Sequence, residues 1–143
     1  MSDEYTDAPD DFTAAAFHGG DAPVSTYMAD AVVALPATAT LREAAATIAE
    51  ASVGCVVVGA PDAVEGIISE RDLVLAIARG ADLDSGTVGE IASTRLVWIG
   101  PDDSIGAVAA EMMQDYVRHV LVGSDSTVIG VMSMRDVIAA YTT

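Results

Sequence analysis

Two four-residue stretches carry most of the chemistry this sequence offers: Ser69-Glu70-Arg71-Asp72 and Ser133-Met134-Arg135-Asp136. Each follows a short apolar run that opens with glycine, Gly66-Ile67-Ile68 and Gly130-Val131-Met132, and each precedes a helical pattern. A serine where a strand gives way to a helix sets a hydroxyl beside the first free backbone N–H groups. The positive end of the helix dipole points the same way, so a phosphate there meets donors. Asp72 and Asp136 lie one turn further along the same face, where a carboxylate can accept two hydrogen bonds from a diol. The same Ser-x-x-Asp spacing is that of a capping box, in which the hydroxyl bonds the N3 amide and the acid reaches back. Both roles are open at this point, and they can alternate with ligation.

All six basic residues are arginine, and the chain has no lysine or asparagine. Against a formal net charge of −16, an arginine beside such a junction is a marker for a specific anionic partner. Arg71 and Arg135 immediately precede the two aspartates, and Arg118-His119 opens an apolar run. Guanidinium binds phosphate bidentately; the competing role for Arg71 and Arg135 is pairing with carboxylates such as Glu70. The first half carries Gly54-Cys55 where the second carries Arg118-His119, so the junction nearer Arg118 is expected to prefer the more highly phosphorylated ligand. His119 would titrate near neutral pH unless it is simply packed in its strand.

Catalytic readings find little. Cys55 is alone in the run 53–58, neither His18 nor His119 forms a nucleophile arrangement with it, and there is no HExxH or CxxC spacing. A P-loop needs the lysine this chain lacks. No catalytic residue, metal ligand or obligatory cofactor is therefore expected. Trp98 and Met112-Met113 are read as core or contact surface, with Trp98 also able to stack on a base.

The 143 residues bound the answer to one compact unit or two small ones. With 22 acidic residues against 6 basic ones, yet 52% hydrophobic residues, the body is too apolar for intrinsic disorder. An anionic surface disfavours nucleic acid, whose binding rests on phosphate neutralisation. Excess acid without lysine resembles proteins of extremely halophilic archaea, where salt screens self-repulsion. A lone cysteine permits no internal disulfide and points to a reducing compartment. No targeting pattern or membrane-length apolar run is present, so a soluble, cytoplasmic protein is expected. Residues 1–22 hold six carboxylates and no basic residue, and read as a flexible tail in which a turn between Phe12 and Phe17 could dock.

The elements that position the two junctions are themselves duplicated at a constant offset of 64 residues, as Gly66 against Gly130 shows. Val53-Gly54-Cys55-Val56-Val57-Val58-Gly59 faces Val117-Arg118-His119-Val120-Leu121-Val122-Gly123 at the same offset. Each copy predicts a strand (32–35, 96–99), a helix capped by Thr40 or Ser104 (41–51, 105–115), a hairpin (53–58 with 64–68, 117–122 with 128–132) and a final helix from Ser69 or Ser133. The units are 1–22 tail, 23–80 first repeat, 81–87 linker and 88–143 second repeat. A half this small buries too little surface alone, so the copies are expected to pack across their sheets.

This twice-met pattern, Gly-apolar-apolar-Ser-x-Arg-Asp after a Val-Gly or Val-Arg-His strand, resembles the CBS (cystathionine β-synthase) domain, and the tandem resembles a CBS pair, or Bateman module. The resemblance covers residues from about 26 to 143. It implies an α+β fold of βαββα repeats with pseudo-two-fold symmetry and two clefts that bind AMP, ADP, ATP or S-adenosylmethionine. Disk-shaped dimers of modules follow from the same resemblance. By it, Ser69 and Ser133 would meet phosphate, Asp72 and Asp136 the ribose, and Ile67 and Val131 the base, with Arg118-His119 at a place that often contacts phosphate. The expectation is a stand-alone regulatory sensor of adenine nucleotides, homodimeric, acting on a protein the sequence does not name. The alternatives are an S-adenosylmethionine sensor and a dimeric scaffold with vestigial clefts, in which Ala44, Ala45, Ile48, Val108 and Met112 pack subunits together. The charge balance predicts loss of compactness in low salt: circular dichroism and sedimentation should differ between about 50 mM and about 2 M KCl, and identical profiles would remove the halophilic interpretation.

Overall fold

The computed structural model describes residues 19–29 and 32–142. The turn expected between Phe12 and Phe17 lies outside the described residues. In the first repeat β1 is Ala34–Leu35, α1 Leu41–Ala51, β2 Cys55–Ala60, β3 Ala63–Ser69 and α2 Glu70–Ala78. A short helix α3, Val88–Ile91, leads into β4 Trp98–Ile99, α4 Ile105–Asp115, β5 His119–Ser124, β6 Thr127–Ser133 and α5 Met134–Thr142. The result is an α+β molecule with two three-stranded sheets, β1-β2-β3 and β4-β5-β6. In each, the short outer strand runs parallel to its neighbour and the hairpin is antiparallel, and the register repeats: Val57 faces Ile67, and Leu121 faces Val131.

Local chemistry sets these boundaries. Thr40 and Glu43 form a reciprocal capping box on α1, and Ser104 accepts from the Ala107 amide on α4. Both helices end on a left-handed residue, Ser52 and Tyr116, after which Val53 and Val117 bond back to the carbonyls of Ile48 and Met112. That six-to-one closure is the Schellman motif. It claims the residues with which the apolar runs begin, so β2 and β5 start two residues later than their sequence suggests. They then continue through a bulge at Gly59 and Gly123, whose positive φ and close approach to the facing strand exclude a side chain.

Three apolar layers hold the molecule. Each repeat packs its helices on one face of its own sheet, around Leu41, Val56 and Ile68 in the first and Ile105, Val120 and Met132 in the second. The other faces meet in a third layer of Val57, Leu121 and Val128, flanked by Val64, Ile67, Trp98 and Val131. The copies thus pack through their sheets, with Trp98 in the layer between them. Four of the residues expected to join subunits are instead internal: Ala44, Ile48, Val108 and Met112 are buried within their own repeats, because α1 and α4 turn their small apolar stripes onto the sheet. Only Ala45 of that set is exposed.

The repeats also exchange a segment. Val24 N–H bonds to Asp103 O, Ile105 N–H to Ala22 O, and Ala29 pairs with Val131, so residues 22–29 lie on the second repeat. The matching residues 86–93 lie on the first: Val88 N–H bonds to Ala39 O, Leu41 N–H to Gly86 O, and Ser93 pairs with Ile67. Val24 and Val88 are both 0% exposed, each in the core of the repeat it does not precede. Truncating Val24 to alanine should therefore cost about 2 kcal/mol, as should Val88→Ala. Denaturant unfolding that finds Val24→Ala neutral would refute the exchange.

Candidate functional site

Each junction is made where β3 or β6 ends and a helix begins. Ser69 Oγ accepts from the Asp72 amide at 3.1 Å while Asp72 Oδ2 accepts from the Ser69 amide at 2.8 Å. The second junction repeats this: Asp136 N–H to Ser133 Oγ is 3.2 Å, Ser133 N–H to Asp136 Oδ2 is 2.9 Å, and the Ser133 hydroxyl also donates to that carboxylate at 2.9 Å. The capping role of the motif is thus formed at both sites. All four side chains are only half-buried.

The backbone around the junctions is held by the exchange. Ile67 exchanges two hydrogen bonds with Ser93, at 3.0 and 2.8 Å, and Val131 two with Ala29, at 2.9 and 3.0 Å. This crossing explains the glycine of the motif: a Cβ on Gly66 would stand 2.7 Å from Ser93 O, and one on Gly130 would run into Met28. Ile67 and Val131 are half-buried at the edge of the layer between the sheets.

Cys55 pairs across its ladder with Ser69, and His119 with Ser133, so each shares a face with a junction serine. Burial pushes the Cys55 thiol up to about 12, with the charges of Asp72 and Asp136 adding to the effect. A thiol so protonated is a poor nucleophile at neutral pH. His119 is held below its ordinary value, chiefly by burial; Asp136 and Asp72 oppose this, Arg118 reinforces it, and Glu70 opposes it weakly. The ring also reaches the first repeat, where a Cβ on Gly54 would lie 2.9 Å from Nε2.

Arg71, Arg118 and Arg135 are exposed, and among the described residues the ion pairs are Arg42 with Asp84 at 2.6 Å and Arg95 with Asp115 at 3.6 Å. None of the three singled-out arginines pairs with Glu70 or another carboxylate there. Asp72 also lines an open groove of about 460 Å³ with Leu75, Ala76, Arg79, Glu90 and Ile91. That volume lies in the usual range of roughly 300–1,000 Å³ for small-molecule sites. Glu90 gave no signal in the sequence, since its wall of the groove belongs to the exchanged α3. Among the described residues no group of His, Cys, Asp and Glu is placed to hold a metal ion, and no helix is long and apolar enough to cross a membrane.

Two CBS-domain matches, over residues 24–79 and 88–143, account for most of the chain. It belongs to the CBS-domain family. Hypoxic response protein 1 of Mycobacterium tuberculosis is 29% identical over 100 residues, covering 68% of this chain and 70% of that protein. The CBS domain protein PAE2072 from Pyrobaculum aerophilum, solved in complex with AMP, superposes with a TM-score of 0.74 at 29% identity, over 85% of this chain and 100% of that one. The CBS domain pair of protein MJ0100, in complex with 5′-methylthioadenosine and S-adenosyl-L-methionine, shares the fold with a TM-score of 0.76 at 19% identity, over 85% and 96%.

Proposed function

We propose that this CBS pair is a regulatory module that binds adenine nucleotides at its two Ser–Asp junctions, with no catalytic role of its own, in the cytoplasm of a cell with high internal salt. The observation that carries the reading is the duplicated junction: a half-buried carboxylate, a hydroxyl and a helix N-terminus, with neighbouring arginines that make no ion pair among the described residues, in a chain of net charge −16. The 29%-identical Pyrobaculum protein solved with AMP supports this ligand class, and the MJ0100 pair supports the fold in which it would bind. In this reading Ser69 and Ser133 meet phosphate with Arg71, Arg135 and Arg118-His119. Asp72 and Asp136 take the ribose diol, and Ile67 and Val131 border the base.

The capping boxes supply the switch. A cap of this kind stabilises a helix by about 1 kcal/mol. A ribose that takes over the Asp72 carboxylate must offset that loss, and α2 is then free to start differently. The ligand shifts the module only by the difference between its affinities for the two arrangements.

At about 100 times its Kd, AMP should stabilise the protein by about 2.7 kcal/mol in thermal unfolding. Asp72→Ala and Asp136→Ala should each weaken AMP at one cleft by about 10- to 100-fold, a loss of a few kcal/mol. Calorimetry that finds unchanged affinity in both variants would sink the ribose assignment.

A dimer is the second part of the proposal, and it rests on a different surface from the one the sequence suggested. Val74 and Ile77 on α2, and the matching Ile138 and Tyr141 on α5, are exposed apolar side chains. Covering both with a second copy would bury them symmetrically. Ile77→Asp combined with Ile138→Asp should convert the dimer to monomer in sedimentation at high salt. A wild-type chain that sediments as a monomer would discard the assembly.

A further inference from the structure

One ring in the seam between the junctions has no counterpart in the other repeat. His119 stands across the ladder from Ser133 while its Nε2 packs against Gly54 of the first repeat. The carbonyl of Gly54 in turn holds the Glu70 amide, the first of α2, at 3.0 Å. At the equivalent positions the first repeat offers Cys55 in place of His119, and the second offers Arg118 in place of Gly54. The charges facing the ring are Asp136 from α5, Asp72 and Glu70 from α2, and Arg118 from its own strand end; Cys55 on β2 lies in the field of the same two aspartates. Burial outweighs those carboxylates and holds the ring's affinity for protons below its ordinary value.

Resting on the nucleotide reading above, we propose that His119 determines specificity at the second cleft: it takes up a proton when a nucleoside phosphate binds there, so the cleft favours a phosphorylated nucleoside over the bare one, and more strongly as pH falls. A dianionic phosphate at the start of α5 supplies the opposite charge that the half-buried ring lacks. The sign follows from linkage. The ring's affinity for protons is depressed in the free protein and raised in the complex, so between the two values binding tightens by up to about tenfold per pH unit of acidification. Above the bound value the gain is lost, and below the free value it no longer grows. The first repeat carries Cys55 at the equivalent position, a thiol that burial keeps protonated.

Titration calorimetry of AMP and adenosine with the full chain and with His119→Gln, in buffers of different ionisation enthalpy, tests this. AMP should take up a proton in wild type and adenosine none. AMP affinity should rise by about threefold to tenfold from about pH 8 to about pH 6.8, above the phosphate's own second pKa of about 6. His119→Gln should abolish the uptake, flatten the pH profile and narrow the AMP-to-adenosine ratio by about tenfold. Proton NMR of the two histidines in wild type, which needs no variant, should show the His119 ring titrating at higher pH once AMP is added. AMP binding without proton uptake, or with the same uptake in the variant, overturns the role of His119 and leaves the nucleotide reading standing. No AMP binding at any pH overturns both.

Discussion

Each half of the molecule lacks a piece of its own core, and the other half's leading segment supplies it. Val24 fills the second repeat and Val88 the first, each tied in by backbone hydrogen bonds on both sides of the buried side chain. A single repeat cut at its sequence boundaries would carry an open apolar slot and unpaired amides along β3 or β6, an expensive state in water for so small a unit. The exchange therefore makes the pair, rather than the repeat, the unit that folds. It also fixes the grooves: the wall opposite Asp72 is made by Glu90 and Ile91, which arrive on the exchanged segment. Any ligand in that groove touches both the helix that starts at the junction and the segment that joins the repeats.

The motif at the junctions serves stability and the proposed binding with the same atoms. In the present arrangement the Asp72 and Asp136 carboxylates are engaged by the Ser69 and Ser133 amides. These bonds satisfy helix donors that would otherwise need water. The glycine three residues before each serine has a separate cause, the crossing of residues 93 and 29 over the strand. Gly-apolar-apolar-Ser-x-Arg-Asp thus combines a packing constraint at one end with a polar junction at the other, and its spacing is set by strand and helix geometry between them.

Much of the fold was legible because the offset of 64 residues runs unbroken from strand to helix. Two copies of one pattern gave the helix starts at Thr40, Ser69, Ser104 and Ser133 with the caps the structure contains. The exchange was not legible, since residues 22–29 keep the same offset from 86–93 whichever repeat they dock on. Periodicity describes local structure and is silent about which of two identical slots a segment enters. The exposed apolar faces of α2 and α5 were overlooked for a related reason: the alanine-rich α1 and α4 offered small residues that suit close packing, and that packing is spent inside each repeat. At the site, the hydroxyls and carboxylates could be placed in advance. The reach of His119 to Gly54 could not, because it depends on how the two sheets meet.

The symmetry that organises the fold stops at the seam. Gly54 and Arg118 occupy one pair of equivalent positions, Cys55 and His119 the next. A side chain at Gly54 would collide with the His119 ring, so the glycine in one repeat and the histidine in the other are a single packing solution. The electrostatic outcome is equally lopsided. The first repeat places a thiol that burial keeps neutral beside Ser69, while the second places a titratable ring beside Ser133 and, next to it in sequence, an exposed arginine without an ion pair among the described residues. In a surface so short of positive charge, the contrast between the clefts comes from two residues. Two identical sites on one chain could report only occupancy. Under the proposed reading, two sites with the same carboxylate but different charge beside the phosphate could rank ligands by phosphorylation.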